Sequence, residues 1–269
     1  MIIDFHAHTF PDKIAQKTID FLAAKANIPP FSDGSVAGLM GRIEKAKVDL
    51  AVNLPVLTNP AQFESVNRFA LSINANYTEN GGKIVSFAGI HPYCEDIRGK
   101  MKWIKEQGFL GVKIHPDYQE TFIDDEGYIK ILECAKELDL IVTAHAGVDG
   151  GYPDSPVRCA PERAKRVIQK VGHSKFVLAH LGANEMADEV YDILAGEDVY
   201  FDTAYILRFI GKEKFFKIVE KHGEDRILFA TDSPWSDIAG DVEILKSFGL
   251  RKETEEKIFS GNARNLLGI

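Results

Sequence analysis

Two histidines one residue apart, His6 and His8, stand near the start of the chain in the run Ile2-Ile3-Asp4-Phe5-His6-Ala7-His8-Thr9. On a strand, residues i and i+2 project to the same side. Two imidazoles placed so can meet one divalent ion at about 2.0–2.1 Å. A lone pair of this kind is more often a hydrogen-bonded part of a core, so its company decides the reading. His145 and Asp232 end two later apolar runs and would complete a ligand set. His180, His91 and His115 end or closely follow three more. Nitrogen and oxygen donors suit Zn²⁺ best, with Mn²⁺, Fe²⁺ or Ni²⁺ as alternatives. Lys113 shares a strand face with His115, where an unpaired ammonium is costly. It is expected to pair with Asp232, Asp117 or another carboxylate, to hold a substrate anion, or to be carboxylated and bridge two metals.

These residues meet only if strands bring them together. Eight short apolar runs bounded by turn residues recur: Ile2–Thr9, Leu50–Val56, Ile84–Pro92, Leu110–Asp117, Leu140–Gly147, Phe176–Gly182, Val199–Tyr205 and Ile227–Pro234. Their near-continuous apolar character fits strands covered on both faces. Helix-period stretches lie between them: Asp12–Ala26, with Asp12 as N-cap, Phe63–Tyr77, Ile97–Gln107, Gly127–Leu138, Pro161–Val171, Glu185–Leu194, Lys212–Lys221 and Val242–Phe248. The repeat predicts a single (β/α)8 barrel over residues 1–269, the α/β class in which strand C-termini converge on the active face. An open doubly wound sheet is the alternative, but no GxGxxG or GxxxxGK[ST] occurs. Ile28–Val36, with Pro29, Pro30, Asp33 and Gly34, reads as a loop near the barrel mouth. His173 and His222 fall at the opposite end and read as surface residues. Arg158, Tyr152, Tyr118, His115 and Trp235 fall in or beside loops on the active face and are candidate substrate contacts, and His115 and His91 are also candidates for a second metal. Arg158 would pair with a carboxylate.

The net charge of −8 and a pI near 5.5 argue against nucleic acid or an anionic membrane as partner, leaving a small-molecule substrate. Cys94, Cys134 and Cys159 match no metal or redox spacing and read as packing thiols in a reducing compartment. No run approaches membrane-spanning length, and the first residues read as strand, so the cytoplasm is the expected location.

The segments HAHTFP, GFLGVKIHPDYQ, VTAHAG, LAHLGAN and ATDSPW resemble, in order, the amidohydrolase superfamily. The similarity is greatest to its amidohydrolase-2 branch, which includes aminocarboxymuconate-semialdehyde decarboxylase, and the closing IFSGNARNLLGI resembles that branch's C-terminal helix. The resemblance implies a metal-dependent enzyme with His6, His8, His145 and Asp232 as ligands. His180 would bind a second metal or polarise the substrate. Lys113 falls where two-metal members carry a carboxylated lysine or a glutamate, so one or two ions per chain are expected, with a homodimer as the common assembly. AGIHPY around His91 is similar to TatD-type deoxyribonucleases, which carry a strand-4 glutamate where this chain has Lys113. The implied reaction is hydrolysis of a C–N or C–O bond (amide, ester or lactone) of a small anionic molecule by metal-activated water, with Asp232 shuttling the proton. The alternative is non-hydrolytic decarboxylation of a small carboxylic acid.

Overall fold

The structure, a computed structural model, describes residues 1–76 and 81–269. Its strands are β1 (Ile3–Ala7), β2 (Leu50–Asn53), β3 (Ile84–Ser86), β4 (Ala88–Gly89), β5 (Gly111–Ile114), β6 (Ile141–Ala144), β7 (Phe176–Leu178), β8 (Tyr200–Asp202) and β9 (Ile227–Leu228). All pairings are parallel and follow chain order, β1-β2-β3 and then β4 to β9. β3 and β4 are two halves of one expected strand, interrupted at Phe87, whose N–H still donates to Asn53 O at 3.0 Å. The last strand returns to the first through Phe5 N to Phe229 O at 2.9 Å, Asp232 N to His6 O at 2.8 Å and His8 N to Ser233 O at 2.7 Å. These bonds bring the α/β ring round on itself, as the repeat predicts for a (β/α)8 barrel.

The strands are short and almost wholly buried. Ile3, Phe5, Leu50, Val52, Phe87, Ile141, Val177 and Leu228 form one apolar cluster, joined by Ala263, Leu266 and Leu267 of the C-terminal helix Asn262–Leu267. The strands' other faces pack against the helices in a second, larger cluster. Along β1, Asp4 pairs with Ala51 but Ala7 pairs with Asn53, so β1 carries one residue more than its partner. Such a bulge re-aims side chains. Phe5 belongs to the inner apolar cluster, yet the next residue, His6, also faces inward and reaches Asp202 and Lys113.

Helix positions follow the sequence closely at Ile97–Glu106, Glu126–Glu137, Pro161–Val171 and Lys212–His222. The helix over Glu185–Leu194 is instead a short turn, Ala187–Glu189, running into a π-helical segment, Val190–Leu194. The final stretch begins earlier, at Ile238–Ser247. Helix α3 spans Phe63–Ala75; Tyr77, the last residue of its expected range, lies outside the described residues. Larger differences fall in the first crossover. Helix α1 (Ala15–Ala26) is capped by Ile14 without a side-chain bond, so Asp12 is not its cap. Pro11 O takes the N–H groups of Ile14 and Ala15 instead. A second helix, α2 (Val36–Ala46), follows the loop and has no counterpart in the sequence reading. Ser35 caps it by accepting from Gly38 N at 2.9 Å, and Leu39 and Ile43 are buried. It packs beside Ile238–Ser247 in the outer ring. The crossover therefore supplies its ring helix from α2, and α1 is left over at the mouth.

His173 and His222 correct another expectation: both are buried. His173 Nε2 donates to Leu140 O at 2.8 Å. His222 Nε2 donates to Val199 O at 2.9 Å, its Nδ1 accepts from Gly196 N, and its ring stacks on Phe201 at 3.9 Å. Burial pushes His222 down to about 4. The fold therefore favours the neutral ring, a contribution complete above the ordinary histidine range and lost as pH falls from about 6.5 towards 4. Thermal unfolding followed from pH 7 to 4 should show His222→Gln losing less stability over that window than the parent, by on the order of 1–3 kcal/mol.

Candidate metal centre

Strand ends bring the expected residues to one side of the ring. His6 Nε2, His8 Nε2 and Asp232 Oδ1 lie 3.2, 3.0 and 3.4 Å apart, in the pairs His6–His8, His8–Asp232 and His6–Asp232. Four-coordinate ligand atoms about 2.0–2.1 Å from one ion stand about 3.3 Å from each other. Proton bookkeeping makes the set informative. His8 Nδ1 is 2.8 Å from Leu54 O, and a carbonyl can only accept, so Nδ1 carries the hydrogen. His6 Nδ1 likewise donates to Asp202 Oδ2 at 2.9 Å. In their neutral forms both rings then turn bare Nε2 lone pairs toward a carboxylate oxygen. Burial, with Lys113 nearby, pushes His6 well below the usual histidine range, which keeps it neutral. Burial raises the Asp232 carboxyl, and only positive charge on His6, His8 and His180 lowers it below the usual range, so its ionisation goes with positive charge held beside it.

His145 does not join this close set. Its ring sits over that of His115 at 4.2 Å, and its Nδ1 is 2.9 Å from His180 Nε2. His180 Nδ1 donates to Ala204 O at 2.9 Å, so the neutral His180 accepts at Nε2 and His145 donates from Nδ1. His145 Nε2 is thereby left as a buried lone pair with no hydrogen-bond partner, 3.7 Å from Asp117 Oδ2 and 3.8 Å from Asp149 Oδ2. A second trio, His115, His145 and Asp149, also lies close together. It differs in its protons: His115 Nδ1 accepts from Tyr118 N at 3.3 Å, so the neutral ring keeps a hydrogen on Nε2, facing Asp149 at 3.4 Å. In that trio His115 turns a hydrogen rather than a lone pair toward the shared space. The first trio fits a divalent cation, while the orphaned His145 Nε2 faces Asp117 and Asp149 instead.

Lys113 is buried, its ammonium donating to His6 Nε2 at 2.9 Å rather than pairing directly with a carboxylate. Burial pushes it down to about 8, and Asp202, Asp232 and Asp149 hold it from falling further. His6, His8, Lys113, His115, His145, His180 and Asp232 line one cavity of about 670 Å³, together with Tyr118, Tyr152 and Trp235. Arg158 and His91 are not among its lining residues. Arg158 sits 3.5 Å from Asp117, and His91 is buried with its Nδ1 accepting from Tyr93 N.

Sequence reasoning passed over Asp202 and Asp149. Asp202 is wholly buried and accepts from His6 Nδ1, His180 N and Ala204 N, orienting a ligand histidine from behind. Its signal is the same strand-end position, in Tyr200-Phe201-Asp202. Asp149 closes the cavity wall four residues after His145, and burial pushes it up to about 6. His180 and Asp232 both take left-handed backbone, φ 59° and 65°. Such strain costs about 1–3 kcal/mol per residue and gathers at functional sites.

A model of the amidohydrolase family matches residues 3–269. The chain belongs to the amidohydrolase-2 family. This amidohydrolase-family chain is thus an enzyme, as its resemblance implied. No curated protein matches it by sequence. Solved structures do match over the full length. A TIM-barrel protein from Bordetella bronchiseptica has TM-score 0.76 and 16% identity, covering 99% of this chain and 98% of that one. A dihydroxybenzoic acid decarboxylase from a Polaromonas species, with bound manganese and 2-nitroresorcinol, has TM-score 0.73 and 16% identity, covering 99% and 96%. The 5-carboxyvanillate decarboxylase from Sphingomonas paucimobilis has TM-score 0.69 and 15% identity, covering 100% and 99%. At these identities the likeness establishes the fold of the amidohydrolase-family chain, an α/β barrel.

Protein purified without chelator should carry divalent metal at about one ion per chain by elemental analysis. His6→Ala combined with His8→Ala should reduce it to background, while His115→Ala should retain it. Full metal content in the double variant would remove the assignment.

Proposed function

We propose that the chain is a metal-dependent, non-hydrolytic decarboxylase of a small carboxylic acid. The observation that carries this reading is the cation-ready trio of His6, His8 and Asp232 with the Lys113 ammonium beside it, in a chain alike from end to end to decarboxylases. A floor with two places for positive charge suits a substrate that is itself a carboxylate. Hydrolysis, placed first by the sequence, becomes the second reading, because the likeness to decarboxylases supports the alternative.

His6, His8 and Asp232 would hold the cation, and His145 would join them only with its ring turned away from His180. Bound there, the ion would supply Lewis acidity for the electron density released as a carbon–carbon bond breaks. Mn²⁺ and Zn²⁺ both accept such N and O donors, and the Polaromonas enzyme is described with manganese. In the overall change, R–COO⁻ and H⁺ give R–H and CO₂. The bonding pair stays on the carbon that loses CO₂, and that carbon takes up the proton. Lys113 orients the substrate carboxylate. Asp202, the Leu54 carbonyl and His180 keep the imidazoles fixed while charge moves. His115 Nε2 and Asp149 stand 3.4 Å apart at the cavity wall, and we assign this pair to return the proton. The buried floor limits water there, which favours loss of CO₂ over attack by water. With three free, buried cysteines and, among the described residues, no helix long and apolar enough to cross a membrane, we place the enzyme in the cytoplasm.

Manganese- or zinc-loaded protein should release CO₂ from members of a panel of hydroxylated aromatic and unsaturated carboxylic acids, without opening matched amides, esters or lactones. Asp232→Asn should lower the rate by on the order of 10²–10⁴-fold, and Asp149→Asn should lower kcat while leaving metal content unchanged. Hydrolysis of any of these bonds without CO₂ release would overturn the reading.

A further inference from the structure

The cavity is larger and more apolar than a ligand seated on the metal trio alone would need. Its floor is polar, and its outer wall is mainly apolar, with Thr18, Gln62 and Ser65 interspersed. Ile14, Phe21 and Leu22 line it from α1 and the residue before it, Val66 and Phe69 from α3, and Val56 from the loop after β2. Helix α1 is amphipathic, yet only Ala15 and Ile19 are buried. Phe21 is 66% and Ile14 48% exposed, at the lip of the cavity. A helix that keeps large apolar side chains on an open lip leaves apolar surface facing water, which marks a binding surface when it is continuous with a pocket. The far wall is closed by Tyr152 and Tyr118, with Lys25 Nζ 3.4 Å from the centroid of the Tyr152 ring. A single-ring acid seated on the floor would leave this outer wall uncovered in a cavity of about 670 Å³.

We propose that the space between α1 and α3 is a subsite for an apolar tail. The substrate is then an acid whose polar head sits on the metal trio and whose alkyl or second aromatic portion lies against Phe21, Leu22, Val66 and Phe69. This inference rests on the metal-centred reading of the floor. The occupant is a small molecule rather than a protein chain, because the apolar wall is one side of the same concavity that ends at His6, His8 and Asp232.

The test uses straight-chain alkyl hydroxamates, from acetohydroxamate to decanohydroxamate, as metal-seeking heads with tails of graded length. Binding to the manganese- or zinc-loaded protein is measured by calorimetry, which requires no turnover. Affinity should rise about two- to fourfold per methylene over the first several carbons, as burial of each group in an apolar subsite predicts. In Phe21→Ser, a change at an exposed position that the fold does not need, and in Leu22→Asp, that gain should shrink to less than about twofold per methylene. Binding that is tight but independent of chain length would overturn the tail subsite and leave the metal reading standing. No binding by any hydroxamate would overturn both.

Discussion

Three acceptors held within 3.4 Å of one another govern this molecule: the Nε2 lone pairs of His6 and His8 and a carboxylate oxygen of Asp232. Packed together without positive charge they repel, and in a buried floor little water is available to separate them. Lys113 gives His6 one proton donor, and a divalent cation satisfies the set at once. The fold is arranged to keep this concentration of electron density in place. Asp202 and the Leu54 carbonyl take the outer hydrogens, which fixes each ring's tautomer and leaves the inner nitrogens as acceptors.

The backbone shows the same subordination. The extra residue in β1 allows Phe5 to stay in the apolar cluster while His6 reaches inward. Left-handed φ at His180 and Asp232 places two functional residues on turns that ordinary strand geometry would not provide. The apolar layers below and around the ring, including the C-terminal Ala263, Leu266 and Leu267, supply the stability against which that local strain is held. The proposed chemistry sits where the strands end, and the proposed selectivity sits in α1, the helix the ring did not use.

Much of this was legible in the sequence because strand ends and residue parity are local properties. The ring, its strands, the His6–His8 pair and Asp232 all follow from them. What was not legible depends on tertiary placement. Periodicity reveals that Ala15–Ala26 is an amphipathic helix, but not that its apolar edge meets a cavity rather than the barrel wall. The glycine- and methionine-bearing Val36–Ala46 carries the ring position instead. His173 and His222 looked exposed because they lie between elements, while the structure tucks each under a backbone carbonyl. His145 has the expected strand-end position, but its ring is turned by His180, a contact between residues 35 apart in sequence. Asp202 obeys the same positional rule, but only the tertiary contact with His6 Nδ1 shows what it does.

The central claim is that His6 and His8 both present bare Nε2 atoms to Asp232. The most direct test is ¹⁵N-resolved two-bond correlation NMR of the histidine rings in metal-free protein at neutral pH, which distinguishes the two neutral tautomers and the charged form. The account predicts hydrogen on Nδ1 alone for His6 and His8, and on Nε2 for His115. Hydrogen on Nε2 of either His6 or His8 would contradict it, since that proton would already occupy the direction in which a cation must be held.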